Sequence, residues 1–293
     1  MIVRVPASSA NLGPGFDTLG LALGLYLELR VEDRIEPALS DEGRDAEGAG
    51  GDDSGTADPT EEGHPGVRAF RQLGGAGPVW IRSRIPVGRG LGFSGSARVA
   101  GLVAALAQRH GPGFQPLDEA EQLLHVDTAL EGHADNIAPS IFGGVVASAG
   151  GHAVRVPLPF EPAVVVWVPS STTSTDQSRA ALCPSVPFAD AVFNVGRTAL
   201  LVAALATGDI HALRTATEDR LHQDQRFALS PISRTALEVA LEAGAWCGWL
   251  SGSGPTVATM CAPDESEALA AALPEEGHTK LLAIDRTGVV IER

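Results

Sequence analysis

The chain has 293 residues, 44% of them apolar and only 5% aromatic, and its 21 basic and 36 acidic side chains give a formal charge of −15. That length and apolar content suit two packed globular units or one large one and exclude disorder throughout. No run approaches the ~18–20 apolar residues of a membrane span, the polar stretch Ala7–Asn11 comes too early for a secretory leader, and an acidic chain with no basic run makes nucleic acid a poor partner, so a cytoplasmic protein is expected.

Strands are expected at Ile2–Val5 and Leu25–Val31, the second from its alternation of Leu27, Leu29 and Val31 with Glu28 and Arg30. Residues 38–64 break the pattern, with nine Asp or Glu against one Arg and scarcely a large apolar side chain. Such a segment cannot bury enough surface to offset its ordering entropy, so a mobile acidic loop is expected there. Next come a strand at Val79–Ile85, a buried helix at Ser94–Gln108, a helix at Leu117–Leu130 and a strand at Val145–Ala149. The second half reads as strands at Ala153–Val156 and Ala163–Val168. Helices follow at Asp176–Leu182, Phe188–Ala206, Ile210–Glu218 and Ser230–Ala243. Strands at Ala245–Leu250 and Thr256–Cys261, a helix at Glu265–Leu273 and a strand at Lys280–Ile284 complete an α+β sandwich with helices on one sheet face. The boundary between a 1–150 unit and a 151–293 unit is expected near Gly150–Gly151. Cys183, Cys247 and Cys261 have neither disulfide nor zinc spacing and read as buried, inert thiols.

Three small-residue turns carry the chemistry. Pro86-Val87-Gly88-Arg89-Gly90-Leu91-Gly92-Phe93-Ser94-Gly95-Ser96 joins a strand to the buried helix, with four glycines where one suffices for a plain turn and Ser94 at the N-cap position. Backbone amides and a helix start make this an anion site, here for phosphate. There is one lysine, Lys280, and no Gly-Lys-Ser/Thr loop, so if phosphate is handled, arginine and backbone amides must do it. The other two turns are Val5–Asp17, a stiff loop presenting Asn11 and Asp17, and Gly248–Thr256, which contains Gly252.

In order and spacing these turns resemble the three motifs of the GHMP small-molecule kinases, and the first resembles that of the homoserine kinases in particular. Further segments agree: Glu131 to Ser140, Ser174-Thr175 through Arg179, and Asp190 to Asn194. The resemblance implies a two-domain fold, with an N-terminal ribosomal-protein-like α/β domain and a C-terminal ferredoxin-like α+β domain. It also implies transfer of the γ-phosphoryl of ATP to the hydroxyl of L-homoserine in threonine biosynthesis. Mg²⁺ would be held by Ser94 and Glu131. Asn11, Asp17, His133, Asn136, Arg179, Arg226 and Gly252 would hold the amino acid, with Arg197 a weaker candidate for its carboxylate. Where many relatives have a catalytic aspartate this chain has Asn136, which implies catalysis by positioning and electrostatics. One departure stands out, Phe93 in place of the first of two serines. A different alcohol substrate, a non-catalytic nucleotide-binding paralogue and a homodimer stay open at this level.

Overall fold

The computed structural model describes residues 1–31, 59–131 and 134–292, with the side chains of 127–131 left out. Two sheets organise the described residues. The larger runs β10-β1-β2-β4-β5, with β3 also paired to β2; its strands are β1 (Ile2–Ala10), β2 (Leu19–Val31), β3 (Val79–Ser83), β4 (Val145–Ala149), β5 (His152–Val156) and β10 (Val290–Glu292). The smaller runs β7-β8-β6-β9, from β6 (Ala163–Pro169), β7 (Cys247–Leu250), β8 (Val257–Cys261) and β9 (Gly277–Leu282). All pairings are antiparallel.

β1 extends beyond the expected Val5: past a register shift at Pro6/Ala7 the small residues Ala7 to Ala10 stay paired with β2. Only Asn11 to Thr18 form the loop. Gly150–Gly151 is the turn of the β4–β5 hairpin, so β5 and the C-terminal β10 both belong to the larger sheet. The chain leaves that sheet between Val156 and Ala163.

α1 (Pro65–Gln72) and α2 (Phe93–His110) pack together, and α2 lies on β1 and β2. Gly101 permits this, because a side chain there would run into the Gly66 carbonyl of α1. α3 (Ala120–Glu131) and the short α4 (Ile137–Phe142) complete this layer. β6 is a continuous apolar run with both faces covered. Val164, Val166 and Val168 join the main core with residues of α6 (Phe188–Thr207) and α7 (Ile210–Ala216). Val165 and Trp167 join a second core with residues of α9 (Pro231–Glu242) and α10 (Ser266–Ala272). Helices therefore cover both faces of this sheet, not one. α6 is long and apolar enough to cross a membrane, with mean hydropathy 1.4, yet its Asp190 and Arg197 are engaged in ion pairs with Arg220 and Glu218.

Residues 38–58 of the acidic segment lie outside the described residues. Its end is built in: Thr60 bonds to β3 at both Val79 and Ile81, and His64 caps α1 by accepting from the Gly66 amide. Cys247 and Cys261 are buried, and burial pushes their thiols up to about 12 and about 11, which keeps them inert. Cys183, expected to be buried, is exposed on the segment after α5 (Thr175–Ala180).

Candidate active site

The three turns meet at a cavity of about 460 Å³. Its walls are Pro86 to Gly95 from the glycine-rich turn, Asn11 and Asp17 from the first loop, Gly252 and Ser253 from the third, Thr173 to Asp176 and Arg179 around α5, Asp135 and Asn136 before α4, and Arg226 from α8 (Gln223–Phe227).

The glycine-rich turn owes its path to Gly88, Gly90 and Gly92, all with positive φ. At Gly90 a side chain would strike the Ser251 carbonyl, and at Gly92 the Ser8 hydroxyl, so only glycine lets this loop lie between the other two motifs. α2 starts at Phe93 with Gly92 as its N-cap, and no side chain caps it. Ser94 therefore sits inside the first turn and not at the cap, where its hydroxyl accepts from Arg98 Nη1 at 2.7 Å. The uncapped amides of an 18-residue helix face the cavity with the positive end of its dipole.

A run of hydrogen bonds fixes the loop. The indole Nε1 of Trp249 can only donate, and it does so to Ser9 Oγ (2.9 Å); Ser9 in turn bonds Ser251 Oγ (2.8 Å), which donates to the Gly90 carbonyl (2.6 Å). Arg89 Nη1 donates to the carbonyls of Pro169 and Ser171, anchoring the loop to the end of β6. Ser96, expected at the nucleotide, points away and donates to the Pro6 carbonyl. Phe93 lines the cavity, packs on the main core and meets the edge of the His64 ring.

At the opposite end Asn11, Leu12 and Asp17 all have positive φ, which shapes the first loop into a tight pocket wall. Asn11 Nδ2 donates to the Gly252 carbonyl (2.9 Å) and its Oδ1 accepts from the Asp17 amide. Asp17 and Arg179 form a two-pronged ion pair at 2.8 and 3.2 Å. Asn136 accepts from Ser8 Oγ through Oδ1.

Arg226 is 4% exposed. Its Nη1 spends both protons, one on the Gly252 carbonyl (2.9 Å) and one on His222 Nδ1 (3.2 Å). The Nε proton is buried without a partner, and Nη2 makes no hydrogen bond to the described residues. The unpartnered Nε/Nη2 edge has the fork shape that matches a carboxylate, with Nε itself closed to solvent. Burial, and then the Arg179 charge, pull this guanidinium down to about 10, so it stays cationic at neutral pH.

The structure thus brings together Asn11, Asp17, Asn136, Arg179, Arg226, Gly252 and the glycine-rich turn. It leaves Arg197 outside, paired with Glu218 and stacked on Phe193. The Glu131 side chain and His133 lie outside the described residues. Sequence reasoning missed Asp135, at the cavity wall beside Asn136, and the support of Arg226 by His222 and Asp219. Asp219 precedes the N-cap residue of α8, His222, by three positions, outside the usual place of a capping carboxylate, so no local signal marked it.

The N-terminal domain pattern of the GHMP kinases matches residues 64–144, and their C-terminal pattern matches residues 201–279. With an uncapped helix start and a glycine loop at its site, the chain belongs to the GHMP kinase family. The homoserine kinases of Moorella thermoacetica and of a strain of Thermus thermophilus are 43% and 42% identical to it, over 94% and 96% of this chain and 93% and 94% of theirs. The crystal structure of homoserine kinase from Cytophaga hutchinsonii superposes with a TM-score of 0.77 at 24% identity, covering 99% of this chain and 96% of the other, which supports the fold. A putative homoserine kinase from Listeria monocytogenes gives 0.75 at 27% identity, over 100% and 99%.

Proposed function

We propose that the chain is a homoserine kinase, transferring the γ-phosphoryl of ATP to the side-chain hydroxyl of L-homoserine to give O-phospho-L-homoserine for threonine formation in the cytoplasm. The observation that carries this reading is the free edge of buried Arg226, in the same cavity as the uncapped start of α2. One end of the cavity is built for a polyanion and the other for a single carboxylate beside an acidic group, Asp17. An amino acid with a hydroxyl on its side chain meets both demands.

In this reading the phosphates lie on the Gly88–Gly92 loop and the first-turn amides of α2, which stabilise charge developing on the transferred group. Ser94 and Glu131 are the oxygen donors for Mg²⁺. Ser94 lines the cavity in the first turn of α2, and one or two protein oxygens plus substrate phosphates would suffice to hold such an ion. The ion supplies charge neutralisation of those phosphates. Arg226 and Arg179 bind the homoserine carboxylate, and Asp17 answers its ammonium. Asn136, held by Ser8, orients the hydroxyl but cannot take its proton, which passes to phosphate or solvent. Rate then comes from alignment of the hydroxyl with the phosphoryl group. An ADP-release assay across small alcohols tests this: L-homoserine should give the highest kcat/KM, and a preference for an uncharged alcohol would rule it out.

A further inference from the structure

Arg226 does not hold itself in place. Behind it runs a buried polar network that begins at Asn194 of α6, whose Nδ2 donates to Asp219 Oδ1 (2.7 Å) and to the Pro14 carbonyl (3.2 Å). The Asp219 side chain is fully buried and accepts from the amides of Leu221, His222 and Gln223, which fixes the start of α8. His222 then stands between the first loop and Arg226. Its Nε2 lies 2.8 Å from the Gly13 carbonyl and its Nδ1 3.2 Å from Arg226 Nη1. A carbonyl can only accept and a guanidinium can only donate, so both contacts demand one species, the neutral imidazole with its proton on Nε2.

We propose that His222 is a positioning residue for substrate binding: by accepting a hydrogen bond from Nη1 of Arg226 it dictates that the Nε/Nη2 edge, and no other, is offered to the substrate carboxylate. The proposal rests on the reading of Arg226 as the carboxylate partner. Its physical basis is the count of protons on Nη1, where the Gly252 carbonyl takes one and His222 the other. Without the histidine acceptor, Nη1 keeps a proton free to draw the carboxylate onto its end-on pair with Nη2. The carboxylate would then sit off the Nε/Nη2 edge, and the hydroxyl of the same molecule would shift with it. Burial acts in the same direction, holding the imidazole below its ordinary titration range so that Nδ1 remains an acceptor at working pH.

Two isosteres separate this role from a merely structural one. In His222→Asn the amide oxygen falls near the place of Nδ1 and keeps the bond to Arg226 while losing that to Gly13. In His222→Gln the amide nitrogen falls near Nε2 and keeps Gly13 while losing Arg226. We expect the KM for homoserine to rise about tenfold or more in His222→Gln and to stay within about threefold of wild type in His222→Asn, with the KM for ATP unmoved in both. Equal shifts in the two variants, or none in either, overturn the proposal. Arg226→Lys run beside them tests the reading underneath: if homoserine KM is unchanged in that variant, the carboxylate assignment fails. If it rises while His222→Gln stays at wild type, the positioning role alone fails. Should either histidine variant not fold, ¹⁵N spectra of the wild-type imidazole decide. The Nε2–H tautomer is required, and an Nδ1–H or doubly protonated ring at neutral pH contradicts the proposal.

Discussion

Asp17 and Arg179, 162 positions apart, meet in a two-pronged ion pair at the cavity wall, with each side chain about one third exposed. The pair presents to the cavity the same two charges, one of each sign, that a bound amino-acid zwitterion would bring. Substrate binding therefore requires these side chains to share or exchange partners, with the ammonium going to Asp17 and the carboxylate to the arginines.

Because the pair is partly hydrated, its own worth to folding should be about 1 kcal/mol or less. Asp17→Asn, which tolerates the left-handed backbone at this position, and Arg179→Gln should each leave the melting temperature within a few degrees of wild type while raising the KM for homoserine about tenfold or more. Thermal melts and steady-state kinetics on the two variants check this. A large loss of stability with unchanged KM would assign the pair to the fold instead.

The glycine loop makes a sharper demand. Gly90→Ala must find room against the Ser251 carbonyl at a positive φ, whereas Gly74→Ala has the same backbone strain with open space around it. The first should lose ATP binding by about tenfold or more and lower the melting temperature; the second should show only the strain of about 1–2 kcal/mol and keep its ATP affinity. Equal ATP affinity in the two variants would mean that the loop can shift without harm to the nucleotide.

Stability should fall in mild acid. Burial lowers the pKa of both His64 and His222 from the ordinary 6.5, and at His222 the nearby Arg226 charge adds to this while Asp219 and Asp17 oppose it. Above 6.5 both rings are neutral whether the chain is folded or not. Below it the unfolded chain takes up protons that the folded one refuses, so stability present above 6.5 is lost as pH drops toward the lowered folded values. Melting temperatures measured from pH 7.5 down to about 5 should decline, and His64→Asn, which can still cap α1, should make that decline shallower. A slope unchanged by the substitution would place the titration elsewhere.

Much of this architecture is legible in the order of residues. The alternation in β2 and the apolar run of β6 declare a half-covered and a fully covered strand, and the glycine-rich turn declares its anion site. Shorter elements are hidden for physical reasons. α4 has six residues with Pro139 among them, and α8 has five, mostly polar, so neither shows a helical period. β10 owes its pairing to β1, almost 290 positions away in the sequence, which local pattern cannot report. At the site, residue types gave Asn11, Asp17, Arg179 and Arg226 through resemblance. The buried bonds of His222 and Asp219 depend on how three distant loops converge, and no periodicity marks a polar side chain that is buried because its partners are.

The central claim, that the cavity selects a hydroxyl carried by an amino acid, is tested most directly with L-homoserine and 3-aminopropan-1-ol, which lacks only the carboxylate. Phosphoryl transfer to each should be timed with wild type and with Arg226→Lys, whose charge remains but whose fork is gone. The account predicts that wild type favours homoserine by about a hundredfold or more in kcat/KM, that Arg226→Lys loses most of that preference chiefly through KM, and that the KM for ATP barely moves. Equal turnover of the two alcohols by wild type, or a lysine variant that keeps the full preference, would contradict it.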